Sequence, residues 1–514
     1  MLMKLIYMSS LSTVRLSRSL AKLLIVIACL LPCTNLFGQN KKDACAEATL
    51  VKSLEAMGGT NLLQSINSYS YSANGYQNAL EQSERYEGPY IPLIQKFEVT
   101  VDLKQKKLYQ NISRTFPGSP LQKMTVVVDS GLVAMKRKTQ YRPHFYQQPS
   151  VKDELDFSLL TILQTAQSSG AKCGGDTVIN NVSNHIIAFK TRSARVRLFV
   201  NSVTFLLTAT EINKPYDENY LSIWGDSRRY VHYSFWELFD NGVHFPLQND
   251  VWINGKHYET SLAEKVEFNK VNLDSVAIPP ATKGQIVSFQ GQMENQFTSM
   301  MAQSKEIAKN IWFIPGPCNV TVVDQGNDLI VIDAPLSSQY STTLLKKIKE
   351  MLPGRTIRTV VSTSDAWLHM GGLREFVAND IPLTILKENT PVVQDLLRAS
   401  YQSNPDALQK TKKKPNLTTV SAPLKIAGKI EMKIVPFRTE AGERMMMVYF
   451  PAYKLLYASD LFQPKTRTGK YFELHYIFEV HQAIQREKLD VELIYGMHSD
   501  LVKYADIKKD LGVN

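Results

Sequence analysis

The chain has 514 residues, too many for one ordinary hydrophobic core, so two or three domains are expected. With 44% hydrophobic and 21% charged residues it has the composition of a globular protein, which excludes a disordered or low-complexity chain. Of the formal charge of +11, Lys4, Arg15, Arg18 and Lys22 supply four within residues 1–38, where no acid occurs. The remaining +7 is mild for this size and forms no dense Lys/Arg stripe with interleaved aromatics, which argues against nucleic acid as a partner.

At the N-terminus, basic residues precede the apolar run Leu23–Leu31, which Pro32 ends. The run is too short to span a bilayer, so residues 1–38 read as an export signal, with removal near Gly38 or Gln39. Val26-Ile27-Ala28-Cys29 has the form of a lipoprotein box but lies inside the apolar run, which makes lipid anchoring the weaker reading. No later stretch reaches the roughly 18 apolar residues of a membrane helix, so the mature protein is expected to be soluble, periplasmic or extracellular. Cys45, Cys173 and Cys318 then remain, at spacings that match no zinc pattern. Cys45 and Cys173 can pair in an oxidising compartment; three unpaired buried thiols are the alternative.

Residues 43–66 carry a helical pattern: Asp43 can cap it, Leu50, Leu54 and Met57 recur at helical spacing, and Gly58-Gly59 ends the run. Strands then dominate to about residue 275. Phe97, Val99 and Val101 alternate with polar residues; Met124–Asp129 and Ile186–Thr191 are β-rich; Arg195–Val200 meets Phe205–Leu207 across a short turn. Asp240-Asn241-Gly242 and Asn254-Gly255 are hairpin signals joining Tyr230–Phe239, His244–Trp252 and Tyr258–Phe268. One amphipathic helix, Asp153 to about Ser168, interrupts them. Consecutive hairpins with one buried face imply a curved antiparallel sheet with helices packed on it, over residues 43–275.

The opening helix, Met57-Gly58-Gly59, Ile66-Asn67-Ser68-Tyr69 and the meandering strands of 45–275 resemble the lipoprotein-carrier fold. That resemblance implies a sheet wrapped around a groove for acyl chains; a plain β-rich accessory domain is the alternative. Residues 276–306 read as a linker at Ala277–Ala281, with its tandem Pro279-Pro280, followed by a connecting helix over Gln285–Lys309.

From residue 307 to 514, short β runs alternate with helical stretches, as in an α/β sandwich. Several segments are similar to the metallo-β-lactamase superfamily. Ile311–Gly316, Asn319–Val323 and Leu329–Pro335 look like its opening strands, Tyr340–Met351 like its first helix, and Ile357–Ser362 like the strand that feeds its metal loop. Val448–Pro451, Lys454–Asp460 and Ile494–His498 look like its late strands. The loop itself, Thr363-Ser364-Asp365-Ala366-Trp367-Leu368-His369, stands where the family has Thr-His-x-His-x-Asp-His. The resemblance implies an αββα sandwich, with Asp333 as a structural acid that steadies the loop.

It also implies an eroded metal site. Ser364 and Ala366 replace the first two histidines, and Arg438, within Pro436–Glu440, is the best match to the third. Neither Ala nor Arg donates a lone pair to zinc and serine rarely does. Leu368 replaces the aspartate of the second site, which keeps His369, Asp460 and His498: two imidazoles and a carboxylate, an acceptable set for one zinc with an open fourth position. Arg438 is expected to pair with Asp460 in place of the lost metal charge, and could hold an anionic ligand. Gly371 and Gly372 are expected to present backbone N–H groups toward the site, where an anion could bind. Asp365 and Trp367 fill variable positions. His144, His185, His232, His244, His257, His475 and His481 show no ligand spacing and read as structural. No serine-hydrolase elbow or phosphate loop occurs.

Three functions follow. The first is an exported pseudoenzyme that keeps the hydrolase-family fold to bind a ligand or partner, without a cofactor. The second is a hydrolase with one zinc acting on an ester, amide or thioester. The third is a lipid or lipoprotein carrier working through the N-terminal sheet. Substrate and oligomeric state are not legible.

Overall fold

The computed structural model describes residues 43–513, apart from 81–82, 84, 116–120, 144–148, 216–224, 466–468, 470 and 472. The segment 1–38 read as an export signal, and His144, therefore lie outside the described residues.

Hairpin follows hairpin through the first half of the chain. Its strands are β1 (Ser68–Asn78), β2 (Pro92–Asp102), β3 (Lys107–Thr115), β4 (Gln122–Asp129), β5 (Leu132–Arg137), β6 (Gln140–Pro143), β7 (Lys172–Ile179), β8 (Val182–Lys190), β9 (Arg195–Asn201), β10 (Leu207–Pro215), β11 (Asp226–Leu238), β12 (His244–Ile253) and β13 (Lys256–Phe268). They form one sheet in the order β6-β5-β4-β3-β2-β1-β13-β12-β11-β10-β9-β8-β7, where antiparallel pairing of β1 with β13 joins two meandering arms. Asn254 and Gly255 both take positive φ, 50° and 83°, the backbone that a tight hairpin needs and that Asn-Gly supplies at little steric cost.

Four helices cover one face of this sheet. Ala44–Ala56 begins where Asp43 accepts from the Ala46 N–H at 3.1 Å, and Thr60–Ser65 follows the Gly58-Gly59 break. Leu50, Leu54, Phe97, Val99, Leu163 and Leu198 share the resulting core. A disulfide joins Cys45 to Cys173, tying the first helix to edge strand β7, while Cys318 is a buried free thiol. The single helix expected from Asp153 to Ser168 is instead two, Pro149–Asp156 and Ile162–Ser168. The Ser158 carbonyl accepts from both Thr161 and Ile162, so a new helical turn starts there instead of the old one continuing.

The connecting helix also differs from expectation. It runs over Pro280–Met301, starting inside the Ala277–Ala281 segment read as linker, because Pro is well suited to a first helical turn. It stops before β14 (Lys305–Ala308), which pairs with β15 (Ile311–Ile314) around Asn310, whose φ is 64°.

β14 and β15 continue through β16 (Val320–Asp324), β17 (Asp328–Ile332), β18 (Thr356–Ser362), β19 (Leu383–Leu386) and β20 (Leu417–Val420) into a seven-stranded sheet. The second sheet has six strands, β21 (Leu424–Ile426), β22 (Met432–Pro436), β23 (Met446–Phe450), β24 (Leu455–Tyr457), β25 (Leu493–Gly496) and β26 (Ser499–Lys503). Period-two alternation sorts their side chains into layers. Val320, Val322, Leu329 and Val331 pack with Leu344 and Phe376 of the helices Ser338–Met351 and Leu373–Ala378. Val323, Ile330 and Ile332 face Ile434, Val448 and Tyr457 of the other sheet. Val435, Met447 and Leu456 pack with Ile477 and Ile507 of the helices Leu474–Arg486 and Tyr504–Leu511. The layer order is therefore αββα, as the resemblance implied.

The two halves share side chains. Leu80, Tyr86 and Ile253 lie in the same apolar cluster as Tyr340, Trp367 and Met370, and Asp43–Asn514 form one compact unit.

The disulfide closes a loop with a sequence separation of 128 residues. The double variant Cys45→Ser/Cys173→Ser should be destabilised by about 3–5 kcal/mol, read as a lower urea midpoint. An unchanged midpoint would mean that the first helix is held by packing alone.

Candidate functional site

The loop Thr363–His369 is fastened by one buried acid. Asp333, directly after β17, is fully buried and takes φ 68°. Its carboxylate accepts from the Thr363 N–H at 2.7 Å, the Thr363 hydroxyl at 2.8 Å and the Tyr457 hydroxyl at 2.5 Å. Thr363 also contacts Ser459 at 2.7 Å, so the ends of β17, β18 and β24 converge on this carboxylate. Burial pushes its pKa up to about 6, against the lowering effect of these donors.

Beyond Thr363, the loop residues have partners within the protein. Ser364 is buried, with Oγ 2.9 Å from His369 Nδ1 and 3.3 Å from the Ala366 N–H. Leu368 packs its side chain against the helical layer, and its carbonyl accepts from Leu336 at 2.7 Å. The three residues expected to persist do meet. His369 Nε2 and His498 Nε2 are 3.3 Å apart, and Asp460 reaches His498 Nε2 at 3.1 Å and His369 Nδ1 at 3.8 Å.

The protons follow from the partners. His498 Nδ1 lies 3.1 Å from the Pro317 carbonyl, which can only accept, so that nitrogen carries a proton. Its Nε2 faces a carboxylate and carries the second. Burial lowers the His498 pKa, but the hydrogen bond and charge of Asp460 outweigh it and raise the value. Burial would raise Asp460, yet His369 and His498 hold it at about 2. His369 is pushed down by burial and by its neighbour His498, despite Asp460.

Cys318 completes the group, although no ligand spacing along the chain points to it. It follows the Pro315-Gly316-Pro317 turn, and Asn319 N–H donates to the Met497 carbonyl at 2.7 Å, which seats that turn beside His498. One ligand atom from each of Cys318, His369 and His498 lies within 4.8 Å of the others. Burial and the nearby Asp460 and Asp333 push the thiol pKa up. The donor set is compatible with one zinc: two imidazoles, a thiol that metal binding would deprotonate, and Asp460 alongside.

Two expectations are corrected. Arg438 does not pair with Asp460. It sits at φ 54° beyond β22, is exposed, and donates to the Ser421 carbonyl at 3.1 Å. β22 ends at Pro436, two residues earlier, and the positive-φ turn carries the guanidinium away from the histidines. Gly372 does not offer its N–H to an anion either, since that N–H donates to the Ala334 carbonyl at 2.9 Å. Glycine is required there by space, for a Cβ would lie 2.0 Å from Ser341 Oγ. Gly371 only caps the short turn Trp367–Met370.

The outer side of the loop is packed against the N-terminal half. Trp367 stacks on Tyr86 at 5.7 Å, and the Tyr86 hydroxyl donates to Asp395 at 2.9 Å. Lys256 lies 3.5 Å from the Tyr86 ring centre, and Arg444 pairs with Glu87 at 3.3 Å. Asp365, beneath this contact, is 5% exposed, and its Oδ2 has no hydrogen-bond partner. Of the remaining histidines, His185 contacts Asp176 at 2.8 Å and His481 contacts Tyr504 at 2.6 Å, remote from this group.

Asp365 gives the pH prediction. Burial pushes its pKa up to about 7, with Arg444 opposing. The folded state thus holds a proton that the unfolded chain releases near pH 4, so this residue withdraws stability as pH rises from about 4 to about 7. Asp365→Asn cannot ionise. Its Tm should match wild type near pH 4, rise above it across that window and keep the gain at pH 8; a pH-independent difference would refute the assignment.

No family model matches the sequence, and no curated protein does. Among solved structures, the chain is similar to the stereoselective inverting sec-alkylsulfatase Pisa1 from Pseudomonas sp., at 16% identity and a TM-score of 0.31, over 40% of each chain. It is also similar to a metallo-β-lactamase from Pontibacter korlensis, at 15% identity and 0.32, over 41% of this chain and 97% of that one. The mono-zinc form of the metallo-β-lactamase FIM-1 from Pseudomonas aeruginosa matches at 15% identity and 0.31, over 40% of this chain and 91% of that one. The chain thus spans about two fifths of the alkylsulfatase's length and nearly all of the two lactamases, and at these identities the likeness is one of fold.

Proposed function

We propose that this is an exported binding protein of the metallo-hydrolase type that has lost catalysis: a pseudoenzyme. The observation that carries the reading is that the surviving polar groups satisfy one another. Ser364 holds His369, Asp460 and the Pro317 carbonyl hold His498, and Cys318 stands beside both imidazoles. Hydrolysis by zinc requires an open coordination position for the attacking water. Cys318, His369 and His498 would hold one zinc, with the Asp460 carboxylate engaged by His498 beside it. His369 and Cys318 are 3% exposed, which leaves water little approach. The packing of Trp367 under Tyr86 turns the former catalytic loop into part of the joint between the two halves. Export is supported by the basic-apolar N-terminus and by the Cys45–Cys173 disulfide, which persists in oxidising compartments.

The second reading, a hydrolase with a single zinc, draws on the same cluster. Cys318, His369 and His498 would hold the metal, which would supply Lewis acidity there, and Asp460 beside them would accept a proton. The partial exposure of the His498 and Asp460 side chains, 28% and 18%, favours this alternative.

Metal content and turnover after zinc loading and desalting separate the two. We expect at most one zinc per chain, lost in His498→Ala, and no hydrolysis of ester, amide, thioester or sulfate-ester probes. Zinc-dependent turnover that disappears in His498→Ala would overturn the pseudoenzyme reading.

A further inference from the structure

The concave side of the N-terminal sheet holds charges where its pattern calls for apolar side chains. The adjacent strands β3, β2, β1, β13, β12 and β11, with the helix Pro149–Asp156, line a cavity of about 90 Å³. A single water needs roughly 10–15 Å³ by the same measure, so several waters or one small solute fit. Along β2, Gln95 occupies the same face as Phe97 and Val99. Gln110 stands between Leu108 and Ile112 on β3, and Arg229 precedes Val231 and Tyr233 on β11. Glu259 of β13, Asn249 of β12, and Asp153 and Glu154 of the helix add to the polar set. A groove for acyl chains, as the carrier resemblance implies, would not place three carboxyls and a guanidinium on its wall, because burying them against hydrocarbon is costly.

Some of these groups are satisfied. Glu154 accepts from the Tyr69 hydroxyl at 2.7 Å and Glu259 from Gln95 Nε2 at 3.1 Å. Others are not: Gln110 Oε1, Asn249 Oδ1, Asp153 Oδ2 and Arg229 Nε are buried with no hydrogen-bond partner. Asp153 belongs to a side chain that is fully buried and pairs through its other oxygen with Lys214. The Arg229 charge is felt by both glutamates, yet among the described residues no ion pair joins it to either. Opposite charges thus face across the space without closing on each other, and the orphaned groups are three acceptors and one donor.

We propose that this cavity binds a small zwitterion, an α-amino acid or a solute of that size, with its ammonium group donating to Glu154, Glu259 and the orphaned oxygens and its carboxylate accepting from Arg229. An ammonium has three donors to offer and a carboxylate suits a guanidinium, so such a solute supplies both kinds of missing partner. The inference is independent of whether the C-terminal metal site turns over, since the cavity lies in the other half and its test reads binding.

Calorimetric titration of the full chain with each L-amino acid, n-butylamine, butyrate and palmitate tests it. At least one amino acid should bind saturably, with butylamine and butyrate weaker by about tenfold or more. Glu259→Gln and Arg229→Gln should each weaken that amino acid by about tenfold or more, with the ligand-free Tm held. Should Arg229→Gln fail to fold, Glu259→Gln decides alone. The proposal is overturned if no amino acid saturates below about 10 mM, if neither folded variant changes the affinity, if butylamine binds as tightly as the amino acid, or if palmitate is the compound that binds.

Discussion

The Asp333 carboxylate is the constraint on which the C-terminal sandwich turns. It is fully buried, and its two oxygens receive three donors from two elements, Thr363 after β18 and Tyr457 in β24. Such an arrangement is expensive to break, because losing one donor leaves a desolvated acceptor behind. It fixes where the loop after β18 leaves the sheet, and through Ser459 it fixes where the chain turns after β24. His369 and Asp460 are each carried by one of those two segments. Their meeting with His498 is therefore a consequence of the Asp333 anchor.

The polar groups that meet there satisfy one another, and the Asp460 carboxylate is paired with His498. No guanidinium was needed: Arg438 is exposed on the far side of a turn. On the outer side of the loop Trp367 stacks on Tyr86, so this surface carries a contact between the two halves of the molecule.

The N-terminal sheet shows the reverse situation. Its helices and strands enclose an apolar core, but the central strands turn Gln110, Arg229 and Glu259 inward, and four buried polar atoms around the cavity stay unpaired. A folded protein retains such groups at a stability cost, which is why they direct attention to a ligand. The polar character of this interior distinguishes it from the acyl groove that a likeness to lipoprotein carriers would suggest.

Much of this architecture was legible in the residues themselves. Period-two alternation and the Asn-Gly turns forced an antiparallel meander, and the motif around Thr363 identified the sandwich and the three residues that still converge. Those features depend on neighbours along the chain or on a fixed family frame. The break in the helix after Asp156, the strand at Lys305–Ala308 and the early start of the connecting helix depend on single hydrogen bonds and local turns, to which composition is blind. Tertiary structure alone placed Cys318 beside the histidines, turned Arg438 away from Asp460 and used up the Gly372 N–H, because each depends on where a loop of one strand lies against the end of another. It also decided that Gln110, Arg229, Glu154 and Glu259 share one cavity, since contacts between strands far apart in sequence are set by how the sheet curves and not by any spacing along the chain.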